Sequence, residues 1–547
     1  MKKIFIKIVL VFGCGVFVSD CYSQNPLVKQ WDKRFGGTNE DNLTSLQQTS
    51  DGGYILSGFS LSGIGGNKTQ ALRGSFDYWI VKIDSIGNME WDKDFGGIGI
   101  DYLHSLQQTG DEGYILAGYS TSDSSGDKTQ PNWDTIQYTY DYWIVKLDSI
   151  GNKEWDKDFG GTAGDQLFSI QQTTDGGYIL GGFSYSGISG DKTQAKWGGY
   201  DYWIIKIDSL GNKQWDKDFG GWGDDFLINV KQTSDGGYIL GGDSNSDSSG
   251  NKTQNNWDIT HQSSDFWIVK IDSLGNKQWD RVFGGTNDDL VNSLEVTADG
   301  GYILGGFSAS DSSGNKTQAT WGDYDYWIIK IDSLGNKQWD KDFGGSGAEE
   351  LYNIFIVDDG GYLLSGDSYS PISGDKTENN LGQEQSWIVK TDSIGNKLWD
   401  KTLFTLGHDE IGLAIQTNDG CYAMANMTYA GIGGYKTQSS WASTDYWIIK
   451  FCDTTLTTSI TNFQFSIFIL QLFPNPATST IQLTFNTKEK TKVQIEIINV
   501  MGERVFKSQI VNPKSQINLD VSFLAKGIYV VRAGDGVRWE HKKLVVE

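Results

Sequence analysis

From Trp31 to about Phe451 the chain alternates short apolar and aromatic runs with polar, glycine-rich punctuation. The stretch after Trp91 shows the unit. Residues 103–108 (Leu-His-Ser-Leu-Gln-Gln), 113–120 (Gly-Tyr-Ile-Leu-Ala-Gly-Tyr-Ser), 141–148 (Asp-Tyr-Trp-Ile-Val-Lys-Leu-Asp) and 153–159 (Lys-Glu-Trp-Asp-Lys-Asp-Phe) are rich in β-branched and aromatic residues. Gly or Asp-Gly bounds each run. That pattern predicts four strands. Asp-Gly-Gly turns, as at Asp51 and Asp175, join the first strand to the second, with glycine supplying the positive φ of a tight hairpin. Asp-Ser-(Ile/Leu)-Gly-Asn, as at Asp208 to Asn212, joins the third to the fourth. The second-to-third connection is long and carries Lys-Thr-Gln.

The unit recurs. Trp-Asp-(Lys/Arg) stands at Trp31, Trp91, Trp155, Trp215, Trp279, Trp339 and Trp399, at spacings of 60 or 64 residues. Four antiparallel strands repeated in this way form the blade of a β-propeller. The chain begins with a lone fourth strand and its last unit ends at its third. The N-terminal strand therefore completes the last blade, giving an all-β, seven-bladed ring of four-stranded blades; a stacked solenoid is the rival. The repeats resemble secreted bacterial propellers of uncharacterised function that carry Asp-Gly-Gly-Tyr and Trp-Ile-Val-Lys signatures, and no activity transfers from that resemblance.

The ends read as addresses. Lys2, Lys3 and Lys7 precede an apolar run from Ile8 to Val18 and a small-x-small site, Cys21-Tyr22-Ser23, so residues 1–23 are expected to be an export signal. Lipidation at Cys14 or Cys21 is the alternative. No second run reaches the ~20 residues of a spanning helix. With 1–23 removed, Cys421 and Cys452 remain, a candidate disulfide for an exported chain; two free thiols are the alternative. The propeller is expected over 24–453 and a linker, Thr-rich at its start, over 454–470. Residues 471–547 alternate as short strands of a small β-sandwich. Phe473-Pro474-Asn475-Pro476-Ala477, Asn499-Val-Met-Gly502, Gly527-Ile-Tyr529-Val-Val-Arg532 and the terminal Lys542-Lys543-Leu-Val-Val546 resemble the type A C-terminal sorting domain of the bacterial type IX secretion system. The resemblance implies the type IX machinery as partner, passage across both membranes of a Gram-negative cell, removal of the domain, and release or surface attachment of the rest.

Net charge is −24 and the pI about 4.6. Such a surface argues against nucleic acid, whose phosphates need a basic partner, and against anionic lipid.

Candidate chemistry follows the repeat. Ten residues after each marker Trp comes a carboxylate: Asp41, Asp101, Asp165, Asp225, Asp289, Glu349 and Asp409. Each enters an innermost strand, so together they should ring the channel mouth, either as a cation or glycan site or as acceptors for turn N–H groups and loop lysines. Lys68, Lys128, Lys192, Lys252, Lys316, Lys376 and Lys436 repeat as partners. Trp133, Trp197, Trp257, Trp321 and Trp441 stand in the long loops, to stack on sugars or anchor a protein, or to pack on their own blades. Asp243-Ser-Asn245-Ser-Asp247 faintly resembles a calcium loop. The four histidines, His104, His261, His408 and His541, show no metal-ligand spacing, and there is no nucleophile elbow or phosphate loop. The expectation is an exported binding or scaffold module with no cofactor, calcium being the one candidate, and a glycan or protein ligand. A glycan-active enzyme and a purely structural surface protein are the alternatives. An enzyme should break the symmetry with a unique polar cluster, and the deviations fall at Glu349-Glu350 and His408-Asp409-Glu410.

Overall fold

The computed structural model describes residues 27–134, 139–260, 262–453, 471–473, 475–484, 492–499, 504–511, 516–534 and 539–546. The expected signal (1–23, with Cys14 and Cys21), the linker, His261, Pro474 and Gly502 lie outside them. The chain divides into two compact units, Met1–Asp453 and Thr454–Glu547.

The first unit holds seven four-stranded antiparallel sheets. Blade one is Asp41–Gln48, Tyr54–Ser60, Asp77–Ile83 and Met89–Phe95, paired in sequence order. Blades two to six repeat it from Asp101, Asp165, Asp225, Asp289 and Glu349. Blade seven takes Asp409–Gln416, Tyr422–Thr428 and Asp445–Asp453 from the end of the unit and Leu27–Phe35 from its start. The closing pair is antiparallel, with Trp31 opposite Lys450 and Phe35 opposite Tyr446. The seven-bladed, N-terminally closed ring read from the repeat is the fold.

Packing between blades explains why one unit cannot stand alone. Ile55, Tyr78 and Ile80 of blade one share a core with Leu103, Leu116, Trp143 and Val145 of blade two. The ring closes identically, with Leu43, Tyr54 and Trp79 against Ala423, Tyr446 and Ile448. Tyr78 Oη donates to the carbonyl of Trp143 in the next blade (3.0 Å), and Tyr446 Oη to that of Trp79 across the closure (3.2 Å). At the turns, Gly52 has φ +84° and Asp51 Oδ1 accepts from Thr49 Oγ1 and Gly53 N–H, while Lys82 Nζ pairs with Asp51 Oδ2 at 2.9 Å. All seven blades keep this third-strand lysine on its turn carboxylate.

Cys421 and Cys452 are joined by a disulfide, their Cα atoms 4.4 Å apart. They extend the pairing of the second and third strands of blade seven, one residue beyond Tyr422 opposite Phe451.

The second unit packs a three-stranded sheet (Gln471–Phe473, Thr480–Thr484, Gln516–Asp520) and a four-stranded one (Lys492–Asn499, Arg504–Val511, Gly527–Gly534, Trp539–Val546) around Ile481, Leu483, Ile495, Ile497, Val531 and Leu544. Asn475 clamps the last strand: its Oδ1 accepts from Val545 N–H and its Nδ2 donates to Lys543 O, both at 2.8 Å. Pro476 follows that clamp. The Tyr529 hydroxyl closes the turn before its strand by donating to Ala525 O (2.8 Å), and Gly527 opens that strand. Lys542 and Lys543 are exposed.

Candidate functional site

Long loops leave the second strands and enter the third on one face of the ring, and the innermost strands begin there. The seven carboxylates at those beginnings are fully buried. Asp41 Oδ2 accepts from Gly37 N–H (2.7 Å) and Ser62 Oγ (3.1 Å), and its Oδ1 from Ser60 Oγ (2.5 Å). Glu349 repeats this with Gly345 N–H and Ser368 Oγ, both at 2.7 Å. Asp101, Asp165, Asp225 and Asp289 do the same with Gly97, Gly161, Gly221 and Gly285. Asp409 takes the Thr405 hydroxyl and the Gln385 amide instead. In this geometry they hold the loop between blades, one of the two roles their sequence position allows.

The loop lysines are buried too, and they pair elsewhere: Lys68 with Asp94, Lys128 with Asp158 (2.5 Å), Lys192 with Asp218 (2.5 Å) and Lys316 with Asp342 (2.5 Å), all on fourth strands. Val282, Thr402 and Arg34 stand at that place in the other blades. There Lys252 donates to Ser246 O and Asn256 Oδ1, Lys376 to Thr402 Oγ1 (2.7 Å), and Lys436 to Ser440 Oγ (2.7 Å). Burial without a paired acid lowers each of these three ammonium groups to about 8. The Asp of each Trp-Asp marker, which the sequence offered only as a landmark, fixes the same loop: Asp92 accepts from Thr69 N–H (2.9 Å), Thr69 Oγ1 and Trp79 Nε1 (3.2 Å).

Trp133, Trp197, Trp257, Trp321 and Trp441 are about half exposed. Each bridges to the next blade rather than packing on its own. The Trp197 ring lies over Gly250, whose φ is +55° and whose missing Cβ would meet Trp197 Cγ at 3.0 Å. Trp257 Nε1 donates to Asn315 Oδ1 (2.7 Å), and the Trp441 ring lies over Gly66 of blade one while the Arg34 guanidinium of its own blade stacks 4.4 Å from it. Trp222, in a loop from fourth to first strand, is more exposed than any of them.

Two features of this face were not read from the sequence. The first is a chain of ring contacts, Phe59–Tyr102–Tyr119–Phe168–Phe183–Phe226, with centroids 4.6 to 5.9 Å apart, crossing three blade boundaries. All but Phe183 are partly exposed. His104 lies in it, 5.0 Å from Tyr119 and 4.4 Å from Phe168, and burial lowers its imidazole to about 4. The second is acidic. At the place of Phe59, Tyr119 and Phe183, blade six has the buried Asp367, which accepts from Ile411 N–H (2.8 Å) and Gly412 N–H (3.3 Å). At the place of Phe76, Tyr140 and Tyr200 it has Glu384. Tyr369 Oη donates to Glu384 Oε2 (2.7 Å), and His408 Nε2 meets Glu384 Oε2 and lies 3.2 Å from Glu410 Oε1. The sequence flagged His408 and Glu410 as deviations but left Glu384, 24 residues before His408, unpaired with them. Aligning the residue before each third strand isolates it: Phe76, Tyr140, Tyr200, Ser264, Tyr324, Glu384 and Thr444.

The calcium-loop residues do not gather. Asp243 Oδ1 accepts from Val291 N–H (2.6 Å) and Asn245 Oδ1 from Asp224 N–H (2.7 Å). A cavity of about 1040 Å³ lies at the outer edge of blades five and six, lined by Trp321, Lys341, Glu378, Trp399 and Lys401, where Lys401 and Glu378 pair at 2.6 Å.

Residues 471–547 match the model of the secretion system C-terminal sorting domain. No curated protein matches the chain. Solved structures with similar strand arrangements include a chimera of an apocarotenoid oxygenase and RPE65 (12% identity over 75% of this chain and 89% of that one, TM-score 0.36). Others are a Synechocystis apocarotenoid oxygenase mutant (8%, 82% and 90%, 0.30) and a family 32 glycoside hydrolase from Bifidobacterium adolescentis (8%, 77% and 80%, 0.28). No site transfers at that level of likeness. The class is thus a seven-bladed propeller carrying a secretion sorting tail. The chain is a secreted protein, handled by the type IX system and delivered to the cell surface or beyond it.

Proposed function

We propose that the propeller is an exported binding module whose long-loop face takes a carbohydrate. Residues 1–23 serve as its export signal, 24–453 as its working body, 454–470 as a linker and 471–547 as its address. The observation that carries the reading is the partly exposed chain of rings from Phe59 to Phe226, on the same face as the half-exposed loop tryptophans. Aromatic faces stack on the apolar faces of sugars, and a rigid ring of blades holds them without an ordering cost at binding. The buried carboxylates take part by fixing the loops. A glycan array with the purified protein tests it: binding is expected, and Tyr102→Ala and Trp197→Ala should each weaken it at least tenfold while melting stays cooperative. Binding of no glycan would favour a protein ligand or the structural reading.

One observation favours the enzymatic alternative, the symmetry-breaking Glu384, His408 and Glu410. Glycan cleavage would release reducing ends and would be lost in Glu384→Gln; binding without turnover keeps the module reading.

A further inference from the structure

The corner where blades six and seven meet differs from the long-loop clusters in which a lysine stands among the acids, as Lys128 does beside Asp158. Here Glu384, Glu410, the buried Asp367 and Glu350 gather, and Glu384 bonds the His408 imidazole.

The donor atoms converge. One oxygen each of Glu384 and Glu410 and one ring nitrogen of His408 all lie within 4.8 Å of one another, the one such group among the described residues. His408 Nε2 to Glu410 Oε1 is 3.2 Å, close to the ~3.3 Å edge of a tetrahedron with bonds of about 2.0 Å, whereas His408 Nε2 and Glu384 Oε2 are in direct hydrogen-bond contact and part to admit an ion between them. Supports fix each donor. Glu384 is nearly buried and receives the Tyr369 hydroxyl, the kind of outer bond that orients a ligating carboxylate. Glu410 precedes Ile411, a β-branched residue at φ +54° whose N–H, like that of Gly412, is held by Asp367. Backbone strain of that kind persists only where the surroundings over-determine it. His408 and Glu410 are about one-third exposed, so the fourth side of the group faces solvent.

We propose that Glu384 Oε2, His408 Nε2 and Glu410 Oε1 form a divalent transition-metal site of the zinc class, with an open position toward solvent. One imidazole and two carboxylates suit zinc or a similar ion, whereas calcium prefers six to eight oxygens. An ion there is held by the carboxylates of Glu384 and Glu410, and its open position offers a Lewis-acid contact to an oxygen of a ligand on the same face. The site is built from residues other than the ring chain and loop tryptophans that carry the carbohydrate-binding reading, and does not rest on it.

The experiment is calorimetric titration of the purified protein with zinc chloride after chelator treatment, without glycan. One equivalent is expected to bind, more tightly than calcium. His408→Ala and Glu384→Gln should each weaken zinc at least ~tenfold and remove the visible absorption of the cobalt-loaded protein, with the melting curve retained. Absence of zinc binding in the wild type, or binding unchanged in both variants, overturns the site. A failed glycan screen beside intact zinc binding would count against the carbohydrate reading alone, and the reverse result against the metal alone.

Discussion

The Trp447 indole donates to Asp32 Oδ2 at 3.1 Å across 415 residues of sequence. In blade three the same bond, Trp203 to Asp216, spans 13 residues. Asp32 also accepts from Thr437 N–H and Oγ1, both at 2.8 Å, so the closing strand holds the long loop as the marker Asp of an ordinary fourth strand does.

Removing residues 27–35 should therefore open the ring. It exposes one edge of the third strand of blade seven and strands the donors of Thr437 and Trp447. Melting should fall by on the order of 10 °C. Asp32→Ala, which leaves those donors without an acceptor, should cost about 1–3 kcal/mol. An unchanged melting curve for the truncated chain would refute closure.

The disulfide ties the second and third strands of the blade that borrows its fourth. Its loop spans 31 residues, for which chain entropy allows at most about 3–4 kcal/mol. Cys452→Ser should lower stability within that bound, and thiol titration of the unfolded, unreduced protein should find neither cysteine free.

Stability should peak at mildly acidic pH. Burial raises Asp165, Asp289 and Asp409 to about 6 and Asp265 to about 8, from 3.8. The folded state then holds protons that the unfolded chain has released, so stability declines as pH rises from about 4 to 8. The turn carboxylates Asp51, Asp111, Asp175, Asp235 and Asp299 are drawn down to about 2 by their threonine, backbone N–H and lysine partners, against a desolvation that opposes it. Their contribution is lost as pH falls from about 4 through 2. Melting temperature should be higher at pH 5 than at pH 8 or pH 2.5; a maximum above pH 8 would contradict it.

The ring was legible because its determinants are local and repeated: Asp-Gly-Gly hairpins, alternating strands, and a missing fourth strand in the last unit. The tail was legible from ordered motifs. Site chemistry was less so. Asp41 and its equivalents mark an innermost strand in the sequence, but whether such a carboxylate faces a channel or a Ser–Gly cradle depends on Ser60, Ser62 and Gly37 folding over it. The aromatic chain passes from Phe59 to Tyr102 through blade contact, at separations that no periodicity reveals. Glu384 meets His408 because one precedes a third strand and the other a first strand of the next blade.

Blades two and four differ at one position beside the same loop lysine. Both have the longer loop, and both place an asparagine by the lysine: Lys128 Nζ to Asn132 Oδ1 is 2.7 Å, and Lys252 donates to Asn256. Blade two adds Asp158, paired with Lys128 at 2.5 Å, where blade four has the buried Val282. Asp158 is also a like charge for Asp141, whose carboxyl is pushed to about 9 by burial and then by Asp158. An ion pair taken fully out of water gains little over an apolar side chain of similar volume, whereas removing one partner leaves a charge uncompensated. Asp158→Val leaves Lys128 its Asn132 bond and the Asp101 and Asp141 carboxyls, as Lys252 is left in blade four, and should cost less than Lys128→Met, which should cost about 3–5 kcal/mol because Asp101, Asp141 and Asp158 all lose the lysine that faces them. Denaturant unfolding of the two variants checks the order. Equal losses would mean that the ion pair itself, rather than the lysine's service to several acids, holds the loop.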